Sequence, residues 1–360
     1  MKNSSYKSPI ALAGLLALLL LFITFSACEK DDPVDVQQDF SAIIANIGNN
    51  VILNTYEGLA DKAALLQAAT EALEATPSMA TLEAARQAWA AARAPWEQSE
   101  GFLFGPVDQE GLDPSIDSWP VNVTDLNNVL SSSNSLTVEF LKAQEGTLKG
   151  FHTIEFLLWG ENGDKQVGAF TAREFEYLAA CAGALAADAA ELFHLWDPTG
   201  GNFIENVVKA GAGSPVYVSQ KAALEEITSA LIIIADEVGN GKINDPFSQE
   251  DLTLEESRFS ANSKADFSNN IRSIRNVYTG YYGGNGDGNG ISVIINEKDA
   301  ALDTQVLAEI DAAILAIESI PGTFSDAVFN AKTDVSAAQQ AVRALQETLE
   351  SKVLPLISGL

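Results

Sequence analysis

From Val36 onward, apolar residues recur every three to four positions among Ala, Leu, Glu and Gln, and no segment alternates apolar with polar residues as a half-buried strand does. That period makes the chain an all-α protein. Thr76-Pro77, the capping box Thr171 to Glu174 and Ser214-Pro215 read as helix starts. The pattern predicts helices over 37–56, 59–75, 77–100, 171–196, 215–238, 265–278, 304–318 and 324–358. Such lengths suit helical bundles. The intervening loops 102–122 and 239–263 are too long for a minimal bundle, and long irregular loops in a compact domain are often functional.

The chain has 360 residues and 47% hydrophobic composition, enough for a large core. Two helical-bundle domains are expected, 37–210 and 211–360. Leu82 to Glu97, "LEAARQAWAAARAPWE", aligns without gaps to Val335 to Glu350, "VSAAQQAVRALQETLE". Shared Ala-rich composition accounts for such an echo as well as an ancient duplication does. Under duplication, Gln346 replaces Arg93 and Leu349 replaces Trp96, which would leave the chemistry to the N-terminal half.

Residues 1–27 carry Lys2 and Lys7, an apolar run and a small-residue context ending at Cys28, which reads as a secretory signal. "FSAC" resembles a bacterial lipobox. Cys28 is then the lipidated mature N-terminus, residues 28–36 a tether, and the location the cell envelope, on an outer membrane or cell surface. A plain signal peptide or short anchor helix is the other reading. Cys181 would be the one cysteine left, so no intramolecular disulfide is expected. The formal net charge of −28 argues against a nucleic-acid partner, since phosphates require a basic face.

The segment "GFHTIEFLLWG", Gly150 to Gly160, carries one of two histidines in the chain, with a glutamate three residues on. On a helix His152 and Glu155 share a face, so they form either half of a cation site or a hydrogen bond satisfying a buried imidazole. The stripe Trp89, Arg93, Trp96 and Glu100 places two indoles beside a guanidinium and a carboxylate. Either the stripe lines a pocket, or the rings pack in a core with Arg93 paired to Glu97. Pro95 should bend the end of that helix.

Together "RAPWEQSEGFLFGP", "DSWP", "GFHTIEFLLWG", "ESRFS" and "IRSIRNVYTGYYG", behind a lipobox, resemble the imelysin-like family of bacterial envelope lipoproteins, including its G-x-H-x-x-E motif. The resemblance implies two helical bundles with the motif helix near a cleft. It also implies one of two functions: an insulin-cleaving type of metallopeptidase, or an iron-regulated lipoprotein of iron uptake. Carried onto this chain, the motif residues are Gly150, His152 and Glu155, with Glu100, Arg93, Trp96, Trp119, Ser257 and Arg258 as neighbours.

The residues themselves favour binding over proteolysis. A catalytic zinc takes three protein ligands and an open position, and this chain lacks the H-E-x-x-H that would supply two of them. One histidine with carboxylates is an oxygen-rich site suited to iron, manganese or calcium. His152, Glu155 and Glu100 are the expected metal ligands, with Arg93, Trp96, Trp119, Ser257 and Arg258 around the metal or an iron-bearing ligand. Binding that needs a neutral imidazole would weaken below about pH 6. A structural or adhesion lipoprotein is the third reading. His194 is assigned to packing or capping near a helix end, and Ser257 has no assignable His and Asp partners for hydrolysis. The stretch from Gly283 to Ile291 imitates a calcium loop but has Asn296 at its twelfth position, so it reads as a connector.

Overall fold

The computed structural model of the protein describes residues 38–360; the signal segment, Cys28 and the tether lie outside the described residues. Eight longer helices dominate: α1 (Leu53–Ala75), α2 (Met79–Glu97), α3 (Gly150–Trp159), α4 (Ala172–Trp196), α5 (Gln220–Asp236), α6 (Ser263–Thr279), α7 (Ala300–Glu318) and α8 (Lys332–Thr348). The fold is all-α, with one small hairpin, Tyr281–Tyr282 against Asn285–Gly286, in the glycine-rich connector.

On α1, Leu59, Ala63, Leu66, Thr70 and Leu73 recur at helical spacing and are all buried. They face α4 and α2, which are the main neighbours of α1. Each buried leucine contributes roughly 1.5–3 kcal/mol. The helix Ala172–Trp196 is long and apolar enough to cross a membrane, yet Ala182, Leu185, Ala189, Leu192 and Trp196 are buried inside the protein. Here it is a core helix.

Several boundaries differ from the pattern. The predicted break near residue 57 is absent: Ser41–Asn46 runs through a π-helical segment, Ile47–Ile52, straight into α1. The start at Pro77 moves to Met79, because Ser78 and Thr81 form a reciprocal capping box. Thr171 and Glu174 form the box read from the sequence. Ser214 caps no helix; its hydroxyl accepts from the amides of Val216 and Tyr217, and α5 begins five residues later behind Ser219. The predicted helix 324–358 is divided into Phe324–Asn330, α8, a π segment Leu349–Val353 and Leu354–Ser358.

Asp39–Leu360 forms one compact unit. Packing of α6 on α2, and of α5 on the turn Glu100–Phe102, runs across the expected division at residue 210. The two loops singled out by length become short turns of helix and converge on the same place as α2, α3 and α6.

Candidate metal centre

Arg93 is fully buried on α2 and is surrounded by carboxylates. It pairs with Glu97 one turn on, with Asp117, with Glu256 at 3.0 Å and with Asp266 at 3.4 Å. Pro95 lies in the last turn of α2, after which the chain tightens to a 3-10 turn, Glu100–Phe102, with Glu100 buried. Trp96 donates its indole N–H to Asp117 Oδ2 at 2.5 Å. Trp89, one turn before Arg93, donates to the Phe151 carbonyl and lies with its ring 5.9 Å from the Arg93 guanidinium.

His152 sits in the first turn of α3, and Gly150 explains how it gets there. Gly150 has φ of +74°, and a Cβ at that position would lie 2.4 Å from the Ile116 carbonyl oxygen. Only glycine lets α3 begin in contact with the strand of chain leading to Asp117. His152 Nε2 then lies 3.1 Å from Asp117 Oδ1 and 3.8 Å from Glu256 Oε1. On the other side Nδ1 is 3.1 Å from Glu155 Oε2, while Glu155 Oε1 accepts from the amide and hydroxyl of Ser260, both at 2.7 Å. Glu155 therefore orients the imidazole from behind, as carboxylates behind ligating histidines do.

Lys242 is the second buried cation. Its Nζ is 2.8 Å from Glu100, 3.2 Å from Glu256, 3.5 Å from Glu97 and 4.0 Å from Glu237. Asn270 donates to Glu97 Oε2 at 2.6 Å and to Glu100 Oε2 at 2.8 Å. Glu100 thus faces Lys242 and Asn270, not His152. Six buried carboxylates, Glu97, Glu100, Asp117, Glu155, Glu256 and Asp266, surround two fixed cations and one imidazole. With every carboxyl ionised the cluster would be short of positive charge.

The electrostatics follow from that imbalance. Burial and repulsion from neighbouring acids push the Glu97 and Glu100 carboxyls well above their ordinary range, against the pull of Arg93 and Lys242. Burial also lifts Asp266, to about 6. At Asp117 burial is outweighed by Arg93 and His152, which hold its carboxyl far below the usual range. Burial opposes charge on His152 as well, but Asp117 and the bonds to Asp117 and Glu155 push the imidazole up to about 10. A cation taken at Nε2 would have to displace that proton, which would set the pH window of binding above the free-histidine range expected from sequence.

Two groups of donor atoms lie within 4.8 Å of one another: Asp117, His152 and Glu256, and Glu97, Glu100 and Asp117. The first fits a cation. Its edge of 3.1 Å between His152 Nε2 and Asp117 Oδ1 is near the ~3 Å edge implied by metal–ligand distances of about 2.1 Å. His152 Nε2 is buried and makes no hydrogen bond in a proper donor direction. Both oxygens of this group also touch Arg93, so a cation would share them with the guanidinium.

A pocket of about 210 Å³ reaches the group from outside, lined by Trp119, Val121, His152, Glu155, Ser257 and Arg258 among others. The Trp119 ring lies 6.0 Å from His152 and 5.4 Å from Lys242 Nζ. Ser257 is buried, with φ of +54° and no hydrogen bond from its hydroxyl. Arg258 lies at the rim, paired with Glu161 at 2.9 Å and over the Phe259 ring. His194 is exposed in the last turn of α4, far in role from this centre.

Sequence reading thus assembled Arg93, Trp96, Trp119, His152, Glu155, Ser257 and Glu100 in one region, and passed over Asp117, Lys242, Glu256, Asp266 and Asn270. Asp117 and Glu256 stood in view as the first letters of "DSWP" and "ESRFS". Asp266, Asn270 and Ser273 recur on α6 at the spacing of a buried stripe, and all three are inaccessible. The chemistry is shared by both halves of the chain rather than held by the first.

The family model described as Imelysin, peptidase M75, matches residues 52–351. Iron-regulated protein A of Synechococcus elongatus is 29% identical over 337 residues, covering 92% of this chain and 90% of its own. A crystal structure from Parabacteroides distasonis, named as an iron-regulated protein A precursor, superposes with a TM-score of 0.80 at 26% identity, covering 88% of this chain and 95% of that one. An imelysin-like protein from Psychrobacter arcticum shares the fold with a TM-score of 0.74 at 14% identity, over 89% of this chain and 96% of its own. With its G-x-H-x-x-E motif built into a buried acidic centre, this chain belongs to the imelysin family.

Proposed function

We propose that the protein binds one metal cation, iron in the cell, at Asp117, His152 and Glu256, and serves iron acquisition as a lipid-anchored envelope protein. The carrying observation is the gathering of six buried carboxyl groups around Arg93, Lys242 and His152, whose Nε2 lies 3.1 Å from Asp117 without a well-directed hydrogen bond. Burial of so many acids around two cations is costly unless a further cation joins them. Two carboxylates and one imidazole are a hard, oxygen-rich donor set that suits iron or manganese over zinc. Glu155 fixes the ring, Trp119 covers it and Arg93 holds the carboxylates in place. The name of the Synechococcus relative, iron-regulated protein A, supports iron as the cation.

The pocket of about 210 Å³ accommodates a hydrated ion or a small chelate better than an extended peptide, which favours binding over peptide hydrolysis. Titration of chelator-treated protein with ferrous iron, manganese, calcium and zinc tests the reading. Wild type is expected to take up one equivalent of iron or manganese, and His152→Ala and Asp117→Asn to lose at least tenfold in affinity. Equal, weak binding by all three proteins would falsify the site. Anchoring is tested separately: Cys28→Ser should release the mature protein from membranes.

A further inference from the structure

Lys242 lies against two carboxylates of the second group, 2.8 Å from Glu100 and 3.5 Å from Glu97. The group of Glu97, Glu100 and Asp117 adjoins the proposed metal centre through Asp117, which belongs to both. A pocket of about 220 Å³, separate from the one over His152, opens onto Glu100, Asp117 and Glu237, with Trp119 between the two pockets. Of the acids on this path, Glu100 and Glu237 face the Lys242 ammonium, whereas Asp117 faces Arg93 and His152.

The fit of the ammonium is incomplete. It has three N–H donors, and four carboxylates stand around it: Glu97, Glu100, Glu237 and Glu256. Hydrogen bonds go to Glu100 at 2.8 Å and Glu256 Oε1 at 3.2 Å. Glu256 Oε2, also 3.2 Å from Nζ and fully buried, receives no well-directed hydrogen bond. A multivalent ion in the same place would satisfy more of these oxygens than a lysine can.

The backbone is shaped to deliver the lysine. The segment Glu237–Lys242 is π-helical, and its wider turn brings Glu237 and Lys242 to the same side. Such turns interrupt α-helices at a cost and gather at functional sites. Lys242 is inaccessible, although lysine is among the residues least often buried.

We infer that Lys242 is a tethered counter-cation that fills a second cation position and so restricts the centre to a single metal ion. The inference rests on the metal-binding reading above but is separable from it. Lys242 is a specificity-determining residue in this account: it admits one ion beside His152 and denies a two-ion cluster bridged by Asp117.

Manganese(II) is the probe, with stoichiometry read by equilibrium dialysis at neutral pH and spin coupling by electron paramagnetic resonance. Wild type and Lys242→Arg should bind one ion with an uncoupled spectrum. Lys242→Met should bind two, with the exchange-coupled signal of ions sharing a carboxylate, and Lys242→Met/Glu100→Gln should return to one. If Lys242→Met does not fold alone, it should fold when manganese is present during refolding. One ion in wild type and one or none in folded Lys242→Met overturns the inference while leaving the metal centre standing. None in wild type but one in Lys242→Met overturns the metal reading at His152 while supporting Lys242 as the occupant of a cation position. A Lys242→Met protein that refolds with manganese no better than without it also overturns the inference.

Discussion

Helices α2 and α8 are written from nearly the same pattern, yet one builds the charged centre and the other builds core. Residues 82–97 and 335–350 keep the same alanine positions, and Ala85 and Ala338 are both buried. Where α2 has Trp89, Arg93 and Trp96 inside, α8 and the turn that follows it have Val342, a half-buried Gln346 and a buried Leu349. The aligned glutamates part company completely: Glu97 is inaccessible, whereas Glu350 is exposed. What differs is the surroundings. Opposite α2 stand Asp266 and Asn270 of α6 and the two loops that bring Asp117, Lys242 and Glu256; opposite α8 stand the apolar faces of α7 and α5. A helix pattern decides that a face is buried, and partners from elsewhere decide whether that face can hold charge.

The comparison breaks most visibly at Arg93. Arg93→Met leaves four carboxylates without their shared guanidinium, and removing one partner of a buried ionic group costs about 3–5 kcal/mol. The aligned change Gln346→Met removes side-chain bonds to Asp236 and Asn240 at a half-buried position and should stay within about 0.5–1 kcal/mol. Urea unfolding at neutral pH measures both. Similar costs at the two positions would mean that the buried cluster is not what distinguishes the helices.

Exchanging the next aligned pair sharpens the contrast. Trp96→Leu writes the α8 residue into α2, leaving a cavity and depriving Asp117 of its indole donor, for an expected loss of roughly 2–4 kcal/mol. The reverse change, Leu349→Trp, crowds an ordinary core and should cost about 1–3 kcal/mol. The two should also separate by function. Trp96→Leu should weaken cation binding, and Leu349→Trp should leave it unchanged.

A pH scan of chelator-treated protein reads the charged region alone. Asp266 and Asp113 are lifted by burial to about 6 from an ordinary value of 3.8, so the stability they give is complete below about pH 4 and is lost as pH rises through 6. His152, raised to about 10 from 6.5 despite burial because Asp117 and Glu155 hold its proton, gives stability that is complete below about pH 6.5 and is lost as pH rises through 10. Asp117 acts oppositely, since its depressed carboxyl gives stability that falls away below about pH 4. The urea midpoint should therefore decline from pH 4 to 6 and again from 7 to 10. Asp266→Asn should flatten the first decline and His152→Gln the second, while substitutions on the exposed face of α8 alter neither.

How much of this was legible follows the same division. The all-α class and the box at Thr171 could be read because they depend on local period and local hydrogen bonds. His152, Arg93 and Trp96 stood out because bulky or ionisable groups in apolar surroundings require an explanation. Lys242 did not, since a lysine in "EVGNGKIND" reads as a solvated loop residue until a π turn folds it inward. Asp266 and Asn270 were hidden for a related reason: polar residues on a helix are assigned to water by default, and nothing local says that Arg93 waits across the gap. Glu100 was read as a partner of His152 because both could reach a pocket, but direction is set by the 3-10 turn after Pro95, which a helical projection does not contain.

The smallest expected difference lies at the starts of the two helices. Ser78 has extended backbone, ψ of 161°, and caps α2 through a reciprocal bond with Thr81, so Ser78→Ala should cost about 1 kcal/mol. Ala331 precedes α8 with ψ of 46° and has no side chain able to cap. Aspartate there would usually be worth a similar amount, but that backbone angle does not aim a carboxylate at the amides two and three residues on, and the amide of Asp334 already bonds to the Ala331 carbonyl at 3.0 Å. Ala331→Asp should therefore change stability by less than about 0.5 kcal/mol. Chemical denaturation of the two variants side by side is the check. A full cap's worth of stabilisation from Ala331→Asp would show that the first turn of α8 can readjust its backbone, and that the two helices differ less at their starts than at their buried faces.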